Sequence, residues 1–299
     1  MSEQPRKQQR LGSPTKASHE DSKCDVQTAK HVATEMLKQG TSEWLQARIG
    51  NITASSAAKI VCLGYVPKAS RTKELAQHQM NRNAYYESVR DRLELKVPPN
   101  NAMSWGSKNE GRAAAAYMEL RAMCDRPLPP ESFQTAGLFM SKKLHRVAAS
   151  PDGLVPDWGP DGSGHGLVEI KCPYSNWEGR LIKKDGTQDV PLSYIIQMML
   201  QMLVTESKWC DYVTWTPGGM TVFKLEYDDE LGDLLKEHCN EFIAAAERGD
   251  AEPPLLSSCE IWGIADIVRR VKDSMTLRAQ IPYKLTEEGV RKCIVTSAN

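Results

Sequence analysis

The chain has 299 residues, with 38 Lys and Arg against 38 Asp and Glu, 40% hydrophobic and 25% charged residues: the composition of a globular protein long enough for one large α/β domain or a domain with appendages. No run approaches the ~18 consecutive apolar residues of a membrane span. The eight cysteines, 24, 62, 124, 172, 210, 239, 259 and 293, lie far apart without a CxxC pair, which points to a reduced, intracellular setting with most of them buried as small apolar residues. The zero net charge is a cancellation, since residues 1–30 sum to +2, 31–105 to +4, 106–227 to −1 and 228–299 to −5.

Residues 1–27 carry almost no large apolar side chains and read as a disordered tail; Glu3, Glu20, Asp21 and Asp25 count against a transit peptide. A helical pattern runs from Thr28 to Gly40, and a short helix carries Trp44 and Leu45. Thr53 is placed to cap a helix through Ala57, Ala58, Ile60 and Val61 that stops at Gly64. An amphipathic helix is predicted over Lys73–Leu95, closed by Pro98 and Pro99, and another follows Ser104 through Tyr117. The pattern then turns to strands, at Ser132–Met140, Arg146–Ala149, Gly153–Val155 and Gly166–Cys172. An apolar helix over Tyr194–Thr205, two strands joined through Pro217-Gly218-Gly219, and an amphipathic helix over Asp228–Arg248 complete the domain. This order predicts an α/β fold, a mixed central β-sheet flanked by helices, occupying residues 28–250. Residues 251–299 read as a C-terminal helical extension, with helical stretches at Ile261–Ser274 and Thr286–Cys293.

The chemistry concentrates in Ser150-Pro151-Asp152-Gly153 and Glu169-Ile170-Lys171-Cys172-Pro173. Strand alternation puts Glu169 and Lys171 on one face and sends Val168 and Ile170 to the other, into the core. A strand bounded by Asp152 can set a second carboxylate beside Glu169. Two carboxylates and a lysine suit a hard divalent cation, which takes oxygen ligands and keeps several waters. The plain alternative is a solvated Glu/Lys pair on a hairpin.

These residues resemble the PD-(D/E)XK nuclease pattern and, more narrowly, the lambda-phage exonuclease and YqaJ-type viral recombinase family of alkaline exonucleases. The landmarks are Trp44, Arg48, Gly50 and Thr53-Ala54-Ser55; Trp105, Gly106 and Glu110; Ser150–Gly153; Glu169–Pro173; and a helix with Gln197 that ends in Val204-Thr205. The resemblance implies a restriction-endonuclease-like core and a Mg²⁺-dependent deoxyribonuclease, Mn²⁺ being an alternative, with two ions per site. It would hydrolyse linear double-stranded DNA from its ends, 5′→3′, and leave 3′ single strands for recombination or repair. Carried over, Asp152 and Glu169 bind metal and Lys171 activates the nucleophile. Glu110 supports the second metal or its waters, and Gln197 positions the lysine or water, with Gln201 one turn later as the alternative glutamine. Arg48, Ser55 and Ser150 match positions that receive the 5′-phosphate. The resemblance also implies a homo-oligomeric ring and a single-strand annealing or recombinase partner.

The residues leave plainer roles open: Ser55 as a helix cap, Arg48 in a surface ion pair, Glu110 as a solvated helix residue. Trp44 and Trp105 are expected to anchor the core, His145 and His165 to lie at the surface or behind the site, and Cys172 to be buried wall, because thiolate suits softer metals. An iron–sulfur nuclease is disfavoured by the scattered cysteines. A structure-specific endonuclease on the same fold, or a catalytically inactive DNA-end binding module, remain as alternatives.

Overall fold

The computed structural model describes residues 37–64, 73–94, 100–123, 132–156, 165–174, 190–285 and 291–293. In chain order the elements are α1 (Ser42–Arg48), β1 (Ile52–Thr53), a 3₁₀ turn (Ala54–Ser56), α2 (Ala57–Ile60), α3 (Glu74–Arg90), α4 (Asn101–Ala122), β2 (Gln134–Thr135), β3 (Phe139–Met140), β4 (Val147–Ala149), β5 (Gly153–Pro156) and β6 (His165–Lys171). There follow α5 (Leu192–Thr205), β7 (Trp209–Thr216), β8 (Gly219–Glu226), α6 (Asp229–Arg248), α7 (Ser258–Asp273), β9 (Thr276–Leu285) and β10 (Arg291–Cys293).

Seven strands form one sheet in the order β10-β9-β8-β7-β6-β5-β2. The β6–β7 pair is parallel and the others are antiparallel, so the sheet is mixed. A parallel pair needs a crossover, and α5 supplies it between β6 and β7. A small sheet, β1-β4-β3, stands beside it. Both faces of the large sheet are covered. Val168, Ile170, Val213 and Trp215 pack with Ala113, Tyr117 and Leu120 of α4. Leu167, Cys210 and Tyr212 point the other way, into the larger cluster built on α5, α6, α7 and α3. The alternation along β6 is thus as predicted, but a helix also covers the Glu169 face.

Helix α5 is nearly all apolar, and ten of its residues are buried. Its two glutamines, Gln197 and Gln201, are spaced i,i+4 and share one side of the helix. Asp228 caps α6 by accepting a hydrogen bond from Leu231 N at 2.9 Å, and Gly249 ends it at φ +76°. A capping box, Ser257 with Glu260, starts α7.

The structure corrects five expectations. Thr53 makes no side-chain cap; the chain passes through a 3₁₀ turn into one turn of α-helix, and the left-handed residue that ends it is Cys62 at φ +56°, ahead of Gly64. Residues 132–140 are two short strands in different sheets, because the chain crosses from β2 beside β5 to β3 beside β4. Residues 37–40 are not helical, and the rest of the pattern from Thr28, like the tail over 1–27, lies outside the described residues. The described residues of 251–299 do not form a purely helical extension. Ile264, Val268 and Val271 of α7 enter the main core, β9 pairs with β8, and residues 291–293, expected to be helical, form β10. The physical reason lies in β9, where Leu277 faces one core cluster while Ala279 and Ile281 face the other, so the segment completes the sheet. Finally, Trp44 and Trp105 are half-buried and belong to none of the core clusters: the Trp44 ring nitrogen donates to Ser150 Oγ, and the Trp105 ring packs edge-on against Tyr174 with centroids 6.1 Å apart.

Candidate active site

Strands β5 and β6 build the acidic part of the site. They pair antiparallel with Gly153 opposite Val168, and just beyond that register Asp152 N donates to Val168 O at 3.1 Å. Ile170 N then donates to Asp152 Oδ2 at 2.6 Å, so the Asp152 side chain takes the next rung of the ladder. Gly153 is required beside it, since a Cβ there would lie 2.3 Å from the Phe133 ring.

Glu169 is 1% exposed, and both of its oxygens are engaged. Oε1 accepts from Lys171 Nζ at 2.5 Å and from Gln197 Nε2 at 2.6 Å; Oε2 accepts from Gln201 Nε2 at 2.7 Å. Lys171 Nζ also sits 4.8 Å from the Tyr194 ring centroid. Burial alone would lower the Lys171 pKa, but Glu169, then Asp152 and Tyr194, outweigh it and raise it above the ordinary lysine value. Lys171 is therefore an ammonium in this state. Burial, the Glu169 charge and the Glu110 charge hold the Asp152 carboxyl well above its usual range, against the pull of Lys171 and the Ile170 amide. Glu110, half-buried on α4, is raised by burial and then by Glu169. Burial pushes the Cys172 thiol up to about 12, assisted by Glu110 and Asp152, so it stays protonated and serves as wall.

A cavity of about 220 Å³ opens onto Asp152, Glu169, Lys171, Gln197 and Gln201. Its facing wall carries Arg48, Ser55 and Ser150 with Trp44 and Gln39. The Arg48 guanidinium lies 4.1 Å from the Trp44 ring centroid and donates to Ser55 Oγ at 3.3 Å. Trp44 Nε1 donates to Ser150 Oγ at 3.0 Å. The fold thus brings Arg48, Ser55, Ser150, Asp152, Glu169, Lys171 and Gln197 around one cavity. Glu110 is not on its wall and acts there through its charge. His145 is exposed and pairs with Glu247 at 2.8 Å, and His165 stands at the other end of β6 from Lys171.

Two contributors escaped the sequence. Gln39 donates to Pro151 O at 2.9 Å and to Ala136 O at 3.3 Å, which fixes the turn before Asp152. The Tyr85 hydroxyl accepts from Thr53 N at 3.1 Å and steadies the turn that carries Ser55. Both contacts run to backbone atoms, which leave no residue-type signature.

Among the described residues no group of three or more His, Cys, Asp and Glu side chains is gathered for a metal. The donors are Asp152 and Glu169, two hard carboxylates balanced by one ammonium, and Gln201 Oε1, which is buried without a hydrogen-bond partner. This set fits a hard divalent cation that keeps part of its water shell.

Mixed sheet, flanking helices and a carboxylate–carboxylate–lysine constellation at the β5–β6 hairpin define the PD-(D/E)XK class of nuclease fold. Residues 43–208, more than half of the chain, match the YqaJ-like viral recombinase domain, and the chain belongs to that family. Among solved structures it is similar to an alkaline exonuclease (LHK-Exo) from Laribacter hongkongensis, at 26% identity and TM-score 0.51 over 77% of this chain and 100% of that one. LHK-Exo in complex with dAMP matches at 26% identity and TM-score 0.48, with the same coverage, 77% and 100%. A phage-related exonuclease from Haemophilus somnus 129PT matches at 13% identity and TM-score 0.45, over 73% of this chain and 96% of that one. The search of curated proteins gave no match. Among the described residues no helix is long and apolar enough to cross a membrane.

Proposed function

We propose that the protein is a divalent-metal-dependent exonuclease that hydrolyses linear duplex DNA from its ends, 5′→3′, and leaves a 3′ single strand. The observation that carries this reading is that one small cavity joins the Asp152–Glu169–Lys171 group to the Arg48–Ser55–Ser150 group. A guanidinium fork and two hydroxyls suit a terminal phosphate dianion.

Asp152 and Glu169 would hold Mg²⁺ or Mn²⁺, which when bound polarises the phosphoryl oxygen and lowers the pKa of a bound water. The residues of the chain supply the rest. Lys171, kept protonated by Glu169, donates toward the attacking water or toward the charge that builds on the phosphoryl oxygens. Gln197 shares Glu169 Oε1 with Lys171 and fixes the ammonium's direction. Arg48 and Ser55, held by Trp44 and Thr53, set the strand terminus in register with the carboxylates.

The test incubates the protein and Mg²⁺ with three DNAs: a 5′-phosphorylated linear duplex, the same duplex with 5′-hydroxyl ends, and a covalently closed circle. The phosphorylated duplex is degraded to mononucleotides and the circle stays intact. The hydroxyl duplex is cut roughly tenfold to hundredfold more slowly, the loss expected when charge-assisted bonds worth about 1.5–3 kcal/mol are removed. Nicking of the circle would overturn end dependence, and equal rates on the two linear ends would overturn the phosphate assignment.

A further inference from the structure

We infer that Gln201 is a second positioning residue for the metal-binding carboxylate, distinct in role from Gln197: it fixes the Oε2 atom of Glu169 and turns its own carbonyl toward the hydration shell of the cation. This rests on the metal-dependent reading above and extends it to a residue that reading does not use.

Gln201 is fully buried, at 0% exposure, in the most apolar helix of the fold. A buried amide without full hydrogen bonding is costly, so its partners identify its use. Its Nε2 donates to Glu169 Oε2 at 2.7 Å. The orientation of the amide is not arbitrary, because exchanging its nitrogen and oxygen would set a carbonyl oxygen 2.7 Å from a carboxylate oxygen. With Nε2 fixed on Glu169, Oε1 follows, and it is buried with no hydrogen-bond partner. Gln201 lines the cavity that holds Asp152, Glu169 and Lys171. An acceptor in such a place lacks a proton donor, and the water retained by a hard cation is one.

The two glutamines are not redundant. Glu169 Oε1 has two donors, Lys171 and Gln197, whereas Oε2 has Gln201 alone. Without Gln197, Oε1 is still held by the lysine. Without Gln201, Oε2 has no donor, and only the two contacts at Oε1 oppose rotation of the carboxylate about its last torsion. Outer contacts of this kind typically cost 10–100-fold in metal affinity when removed.

The experiment titrates Mn²⁺ alone, without DNA, into the wild-type protein, Gln201→Met, Gln201→Asn and Gln197→Met by calorimetry, and then measures kcat and KM on the phosphorylated duplex. Gln201→Met keeps the volume and loses the amide. Gln201→Asn keeps an amide that falls one methylene short, and it carries the test if the Met variant does not fold. Expected is a loss of Mn²⁺ affinity of about tenfold or more in both Gln201 variants and a smaller loss in Gln197→Met, with kcat lowered and KM for DNA within about twofold of wild type. Wild-type binding of Mn²⁺ with unchanged affinity in the Gln201 variants overturns the inference and leaves the nuclease reading standing. Failure of the wild type itself to bind Mn²⁺ overturns the metal reading and this inference with it.

Discussion

Lys171 is held at 2.5 Å from Glu169 Oε1 and over the Tyr194 ring, in a place where burial alone would lower its pKa. Without a bound metal the Glu169 charge, then Asp152, keeps it an ammonium directed at Glu169 Oε1. Lys171→Ala should lower hydrolysis by about 10²–10⁴-fold, the range for a positioned proton donor, while DNA affinity in a gel-shift titration stays within a few-fold of wild type. Turnover retained near the wild-type level would remove Lys171 from the chemistry. Glu169 and Lys171 were legible because strand alternation is a strict rule and needs no tertiary knowledge. Asp152 was legible as a neighbour, though not as a side chain that replaces a rung of the ladder by accepting from Ile170 N. The plainer roles for Arg48 and Ser55 give way to a different geometry, in which the guanidinium stacks on Trp44 and reaches the Ser55 hydroxyl.

At the scale of elements, caps and periodicity carried the helices. Asp228 was readable as the start of α6, and it also receives both guanidinium nitrogens of Arg270 on α7, at 2.8 and 3.0 Å. The bond from Arg270 lowers its pKa, burial opposes it, and the Leu231 amide adds a smaller lowering. A depressed carboxylate contributes stability that is present above its unfolded pKa and is lost as pH falls through the folded value. Asp228→Ala should therefore cost about 1–2 kcal/mol in urea unfolding at neutral pH, and the deficit should shrink below about pH 4. An equal deficit at both pH values would show that the ion pair and the charged cap contribute nothing. Periodicity failed where the elements are too short for it. The 3₁₀ turn at Ala54–Ser56 and the two-residue strands β1, β2 and β3 are set by partners far along the chain, such as Tyr85 and Val147. The strand β9 was missed because the bulge at Arg278, its third residue, and Pro282 within it break the alternation.

That arginine shows how the whole molecule is organised, since the sheet separates two buried carboxylates with different surroundings. Glu169 faces α5 and the cavity, while Asp211, opposite Val168 in the parallel pair, faces α4 at 0% exposure. Tyr117 OH donates to Asp211 Oδ2 at 2.8 Å, and Arg278 Nε approaches Oδ1 to 3.0 Å, out of hydrogen-bond alignment. Arg278 is the extra residue of a β-bulge, with Leu277 opposite Phe223 and Ala279 opposite Val222, and the bulge turns its side chain inward. The same accounting changes the meaning of the charge distribution. Of the cations in the positive stretch 31–105, Arg82 is buried on Ile60 O and Arg90 is engaged by Asp91 and by the carbonyls of Asp250 and Ala251, whereas Arg48 lines the cavity. In the acidic C-terminal stretch, Arg278 is instead a structural cation.

Burial holds the Asp211 pKa above its ordinary value, with Arg278, the Tyr117 bond and Arg121 pulling it down. A carboxyl with a raised folded pKa contributes stability that is present below the unfolded pKa and is lost as pH rises through the folded one. Removing Arg278 extends that window upward, so Arg278→Ala should cost about 2–3 kcal/mol at neutral pH and less in mild acid, where Asp211 holds its proton. Asp211→Asn in the same chain removes the charge that Arg278 balanced and should restore most of the loss, a coupling that a double-mutant cycle in urea reads directly. Because the pair lies on the α4 face, kcat of the folded variants should stay near that of the wild type. Additive losses in the double mutant would show that Arg278 acts through the packing of β9 on the sheet and not through Asp211.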